Sequence, residues 1–375
     1  MAHATGRVSG VVETIVDTDA HVTEQVEDVL PYIDAPRGVR NIIAKAERPM
    51  ADIFSRTHAQ PTVTPGEETD DRDSTATKAL SSTRDLDAKL ADLDEFDIEY
   101  GVVTPTLHTL INTVENTRCA VALANAYNSW VLDQHLDEYD ALKATIVVPP
   151  QMPEKAAEEI DDRADERDMV GVMLPSSGLL PPAGHRRYDP IYEAAEDHGL
   201  PVVMHGANSA FQHSFPTQRR WNETKLENHV ITHPFGHMWN VTTMMAQGVP
   251  ARYPDLEFVV QEAGIGWIPY LMWRLDDEYM ARPHEAPFLD RLPSEYMRDQ
   301  FYYTTQPLGH TAGHPEHLAR MIEMVGTESI MYASDIPHHD FDPPEELFDR
   351  IRPHFDDETV NDVMGATALE LFDLD

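Results

Sequence analysis

The chain has a single cysteine, Cys119, so no disulfide can form within it and nothing in it calls for an oxidising compartment. It is also poor in lysine: six lysines among 28 basic residues stand against 66 acidic ones, a formal charge of −38. That shortage of positive charge excludes binding to a phosphate backbone, which draws its affinity from Lys and Arg. No apolar run reaches the ~18 residues a membrane helix needs, and the N-terminus lacks a basic segment followed by an apolar one. The expectations left standing are a small-molecule partner, no nucleic acid, no membrane and a cytoplasmic location.

The acids are scattered along the whole chain instead of forming a tail, which argues against a basic partner and for a halophilic surface. In about 1 M salt the Debye length shrinks to roughly 3 Å, so a dense acidic shell stays hydrated while repelling itself little. What remains is ordinary for a globular chain: 41% hydrophobic and 25% charged residues over 375 positions. Cys119, among Val114, Ala120, Val121 and Leu123 in a helical pattern, fits a buried packing role.

Short β-rich runs alternate with helical patterns, the signature of parallel βα units. Eight candidate strands can be placed: Thr14–Asp19, Tyr100–Thr104, Leu142–Val148, Val170–Leu174, Pro201–His205, Leu256–Gln261, Phe301–Thr305 and Ile330–Ser334. Helical spacing marks Asp85–Phe96, Asn116–Leu136, Pro153–Arg163, Pro190–His198, Met238–Gly248, Trp267–Met280 and Pro315–Val325, with Pro344–Ile351 and Glu358–Phe372 closing the fold. The expected architecture is one (β/α)8 barrel over residues 1–375. Residues 31–82, rich in Thr, Asp, Glu and Pro in their second half, form an excursion over the barrel mouth. It reads equally as a substrate lid and as a contact within a homo-oligomer.

The chemistry lies at strand ends. Asp19 and His21 sit two residues apart on one strand face and can grip one cation, although a D-x-H triplet alone is weak evidence. His205 follows the apolar run Pro201–Met204, and Asp335 follows Ile330–Ser334. In an α/β barrel, polar side chains at C-terminal strand ends face the active site, so these four residues should converge. Two imidazoles and one or two carboxylates suit one divalent ion, zinc first, with manganese or iron also compatible.

The segments Asp17–Glu24, Arg252–Asp276 and Ala333–Asp340 resemble the amidohydrolase-related superfamily, in particular the branch that includes aminocarboxymuconate-semialdehyde decarboxylase and related aromatic-acid decarboxylases. The resemblance spans about Thr14 to Phe372 and implies a distorted (β/α)8 TIM barrel. It matches the first-strand H-x-H or E-x-H metal motif to Asp19-Ala20-His21, the fifth-strand histidine to His205, the eighth-strand aspartate to Asp335 and a frequent eighth-loop histidine to His338. Two departures stand out. Where many relatives carry a histidine opening H-x-G-G-x-W-x-P, this chain has Glu262 in Glu262-Ala263-Gly264-Ile265-Gly266-Trp267-Ile268-Pro269. And Met169–Gly178 holds no lysine that could be carboxylated to bridge two metals, which implies a mononuclear site.

The leading expectation is therefore hydrolysis, with Asp335 taking a proton from metal-activated water and with Glu262 and His233 as further catalytic candidates. His237, His338 and Trp267 are the candidates for substrate contact, Trp267 with the alternative of packing at the rim. His310, His314 and His339 carry less weight. The alternative is non-oxidative decarboxylation of an aromatic or unsaturated acid, where a neutral Glu262 could donate a proton. A barrel that keeps its ligands without catalysis is the third reading. The charge balance makes one prediction of its own: the unfolding midpoint should rise steadily as KCl is raised from about 0.1 M to about 2 M. A flat or falling midpoint would remove the salt-adapted reading.

Overall fold

Eight parallel strands pair in strict chain order, each with the one before it. They are β1 (Val16–Val22), β2 (Tyr100–Pro105), β3 (Leu142–Val147), β4 (Met169–Pro175), β5 (Val202–His205), β6 (Phe258–Val260), β7 (Phe301–Thr304) and β8 (Ile330–Met331). The computed structural model describes residues 8, 10–45, 86–136, 139–206, 225–309, 314–338 and 341–374. Beyond β8 the backbone continues to bond to β1. Thr18 N–H donates to Tyr332 O (3.2 Å), His21 N–H to Ile336 O (3.0 Å) and Asp335 N–H to Asp19 O (3.1 Å), so the sheet closes into the expected barrel.

Alternation along the strands divides inside from outside. On β5, β6 and β7 the residues Val202 and Met204, Phe258 and Val260, and Phe301 and Tyr303 belong to the core under the helices. Their neighbours Val203, Val259 and Tyr302 join Val16, Val102, Val170 and Met331 in a separate cluster inside the barrel. Two residues further along the same inner face stand His205, Gln261 and Thr304, all buried. One layer of the interior is thus apolar and the next, toward the C-terminal strand ends, is polar. Ala368, Leu371, Phe372 and Leu374 plug the apolar layer from below.

Besides short helices at Val26–Val29, Val249–Arg252 and Asp357–Asn361, the described residues form α1 (Arg37–Ala44), α2 (Leu86–Glu95), α3 (Thr117–Val131), α4 (Pro153–Arg163), α5 (Asp189–Asp197), α6 (Lys225–Ala246), α7 (Ile268–Ala281), α8 (Pro293–Asp299), α9 (Glu316–Val325), α10 (Pro344–Ile351) and α11 (Thr367–Leu371). Cys119 is buried on α3, as its surroundings suggested. Of the 31–82 excursion, the described part includes α1, which packs Val39 and Ile43 into the core beside α3. Residues 46–82, on which the lid and oligomer readings rest, lie outside the described residues, as do His310 and His339.

Three boundaries differ from expectation. β1 runs to Val22, so both Asp19 and His21 lie within it, and its register against β2 slips between Asp17 and Ala20, a bulge. β8 is cut to two residues because the chain turns out of the sheet to reach Asp335, whose φ is +61°. The helix expected at Met238–Gly248 instead begins no later than Lys225 and carries Pro234 in its interior. Pro234 reads as a helix start because proline favours a first turn and costs about 3 kcal/mol further in. Here the burial of His233 and His237, one turn apart on the same face, outweighs that cost.

One glycine fixes how the chain after β8 meets the start of β1. A Cβ on Gly365 would lie 1.9 Å from Thr14 O and 2.9 Å from Thr14 C, both backbone atoms. Gly365→Ala should therefore cost about 3 kcal/mol in chemical denaturation; a loss under about 1 kcal/mol would show that this junction is loose.

Candidate metal centre

The bulge in β1 and the close of the barrel act on the same few atoms. Asp17, fully buried, accepts hydrogen bonds from Ser334 N–H (2.9 Å), Ser334 Oγ–H (2.5 Å) and Asp19 N–H (3.1 Å). One carboxylate thereby ties together the backbone that carries Asp19 and the backbone that carries Asp335. Burial pushes its pKa up, while the Ser334 and Asp19 hydrogen bonds and the charge of Lys89 pull it back. Lys89, reaching in from α2, donates to Ile336 O (3.1 Å) and is itself buried. Burial lowers its pKa, and Asp17, Asp92, Asp335 and Asp19 oppose that shift, so its ammonium balances a group of carboxylates.

Around this frame the four expected donors converge. His21 Nε2 lies 3.4 Å from Asp19 Oδ1 and 3.2 Å from Asp335 Oδ1, and His205 Nε2 lies 3.4 Å from Asp19 Oδ2. Every one of these side chains is at most 3% exposed. Both Asp19 carboxylate oxygens, His21 Nε2 and His205 Nε2 are buried with no hydrogen-bond partner among the described residues. Orphaned polar atoms at such burial are costly unless something else satisfies them. A cation about 2.0–2.2 Å from N and O donors in tetrahedral array would separate those donors by about 3.3–3.6 Å, close to the spacings found. The tautomer also fits: His205 Nδ1–H donates to Gly206 O (2.5 Å), which leaves the Nε2 lone pair facing the cluster.

Asp335 is held on both sides. His338 Nδ1–H donates to its Oδ1 (2.6 Å) and the Gln306 amide to its Oδ2 (3.1 Å), while the His338 ring lies 4.2 Å from that of His21. Glu262 lies two residues past β6 with φ +52°, in the left-handed region as Asp335 is. Its Oε2 is 3.3 Å from His205 Nε2 and its Oε1 is 3.5 Å from His233 Nδ1. Burial would depress His205, yet the Asp19 and Glu262 carboxylates hold it above its ordinary value. Burial drives His21 and His233 well below theirs, with the neighbouring imidazoles adding to the effect.

The remaining candidates take other places. His237 Nε2–H donates to Gln261 O (2.9 Å), the Gln261 amide donates to Thr18 O, and burial lowers the His237 pKa to about 3. Trp267 stacks on His237 at 6.4 Å, packs edge-on to Tyr303, and donates its indole N–H to Gly264 O (2.9 Å). Neither joins the donor cluster. His314 lies on the surface beside Glu316.

Local pattern does not single out several framing residues: Asp17, Ser334, Gln261, Gln306, and Glu24 with His108. Glu24 accepts from Thr106, Leu107 and His108 N–H (3.2, 3.0 and 2.7 Å) and from His108 Nδ1–H (2.7 Å), which pins the loop after β2 to the end of β1. Lys89 did carry a signal, since it falls on the apolar stripe formed by Leu86, Leu90 and Leu93.

A family model described as amidohydrolase matches residues 16–374. The chain belongs to the amidohydrolase family. Gamma-resorcylate decarboxylase from Polaromonas sp. is 23% identical to it over 273 residues, covering 70% of this chain and 80% of the relative. An amidohydrolase structure from Mycobacterium avium subsp. paratuberculosis superposes with TM-score 0.73 at 20% identity, covering 96% of this chain and 99% of the other. A dihydroxybenzoic acid decarboxylase from Polaromonas sp., determined with bound manganese and the inhibitor 2-nitroresorcinol, superposes with TM-score 0.68 at 17% identity, covering 96% and 97%.

If the donor cluster of this amidohydrolase chain is a metal site, His205→Ala and Asp19→Ala should each weaken Mn²⁺ or Zn²⁺ binding at least about 100-fold in competition with a chelating dye. Trp267→Phe should leave it nearly unchanged. Wild-type affinity in both cluster variants would remove the cluster from consideration.

Proposed function

We propose that this protein is a divalent-metal-dependent, non-oxidative decarboxylase of a small aromatic hydroxy acid. The observation that carries the reading is the buried, unsatisfied cluster of Asp19, His21 and His205 beside Asp335, in a chain similar to gamma-resorcylate decarboxylases. That similarity shifts the weight from the hydrolysis favoured by the sequence to the alternative.

Asp19, His21 and His205 would hold the ion, with Asp335 closing the set. Manganese is the ion to load first, because the Polaromonas structure holds it; the expectation of zinc rests on the donor types alone. When bound, the ion supplies a Lewis-acid charge that draws substrate carboxylate and hydroxyl oxygens and stabilises negative charge on them.

Decarboxylation needs a proton on the ring carbon that bears the carboxylate. The bond to the carboxyl carbon then breaks, CO2 leaves, and the electron pair stays with the ring, which regains its aromaticity. Asp335, clamped by His338 and Gln306, would deliver that proton. His338 is about one-fifth exposed and can reload it from solvent. Its neighbours exclude water, since Asp19, His21 and His205 are almost fully buried.

The hydrolytic reading keeps one point in its favour, the acid Glu262 at a position where many relatives carry histidine. The two reactions differ in product. Metal-loaded enzyme given carboxyl-labelled gamma-resorcylate and related hydroxybenzoates should release labelled CO2 and leave a panel of esters, lactones and amides intact. Ester, lactone or amide cleavage without CO2 would replace this reading with hydrolysis. Asp335→Asn should lower kcat by about 10²–10⁴-fold; wild-type turnover in that variant with metal bound would show that Asp335 moves no proton.

A further inference from the structure

Glu262 points its two carboxylate oxygens at two different histidines. Oε2 faces His205 of the cluster already described (3.3 Å), and Oε1 faces His233 of α6 (3.5 Å). One helical turn before His233 stands His229, on the same face, its ring centroid 5.2 Å away. Donor atoms of His229, His233 and Glu262 all lie within 4.8 Å of one another. Two histidines four residues apart on a helix, with a carboxylate beside them, form an established way of holding a divalent ion.

The ordinary alternative is a hydrogen bond between His233 and Glu262. At 3.5 Å that bond would be long for a charged pair, whereas two donors sharing one ion fall near this separation. His233 is 3% exposed, so its Nδ1 meets the Glu262 carboxylate out of contact with bulk water, where a shared cation is not screened. The backbone at Glu262 accepts a left-handed φ of +52°, a strained conformation for a side-chain-bearing residue, and holds the carboxylate between the two histidine groups.

We propose that His229, His233 and Glu262 bind a second divalent cation, with Glu262 bridging it to the ion held by Asp19, His21 and His205. This replaces the mononuclear expectation, which followed from the lack of a lysine in Met169–Gly178: the bridge is supplied by strand six instead of strand four. The inference rests on the first cluster being a metal site.

The test is metal counting on chelator-stripped full-length protein, dialysed against Mn²⁺ in molar KCl so that the acidic surface does not bind ions by charge alone. The wild type should hold two ions per chain and give a spin-coupled Mn²⁺ resonance. His229→Gln, half-buried and therefore mild, and Glu262→Gln should each hold one ion with an uncoupled signal and an unchanged circular dichroism spectrum. A wild type with one ion, or two ions retained in both variants, overturns the second site and leaves the first standing. A wild type with no ion overturns both.

Discussion

The seam between β1 and β8 is the constraint on which the rest of the molecule depends. A barrel with neighbouring strands in chain order has one junction between its first and last strands, and here the last strand is only two residues long. The closure is taken over by bonds from the loop after β8 and by the Asp17 carboxylate, which accepts from Ser334 on one side and Asp19 on the other. Because Asp19 and Asp335 are the neighbours of those bonded groups, the force that shuts the barrel also sets the spacing of the donors. Stability and site geometry are in this sense one property, and Lys89 keeps the local concentration of negative charge tolerable.

Much of this was legible in the residues. Continuous apolar runs such as Ala144–Val148 mark parallel strands covered on both faces, and a histidine or aspartate directly after such a run marks the mouth of the barrel. Asp19, His21, His205 and Asp335 were found on that logic, which needs only the period of a strand and the closure of a sheet. What escaped it depends on contacts at long range. Asp17 earns its place through a bulge, and a bulge leaves no reliable trace in a local pattern. Ser334 and Gln306 matter only through partners on other strands. His233 and His237 were placed beside a helix start because Pro234 punctuates the sequence; burial of that face overrode the punctuation.

Glu262 shows how a departure from family pattern is best understood in place. Read as a letter change, an acid in place of a histidine weakens one mechanism and favours another. In the folded chain its carboxylate spans two imidazoles, those of His205 and His233, and its backbone adopts a conformation that few side-chain-bearing residues accept. Asp335 shares that conformation at the end of the neighbouring polar layer. Two strained carboxylates at two strand ends are expensive to keep, and such strain persists where the surrounding structure holds it for a purpose.

The plug of Ala368, Leu371, Phe372 and Leu374 has a consequence for how the molecule is made. The ring of valines it seals is contributed by strands that emerge from the ribosome far earlier, from Val16 onward. Until residues beyond 368 have been synthesised, the lower opening of the nascent barrel has no floor, and its apolar lining stays accessible to water and to chaperones. Assembly of the interior thus waits for residues 368–374, which follow every strand they seal, a built-in delay between forming the barrel wall and closing its floor.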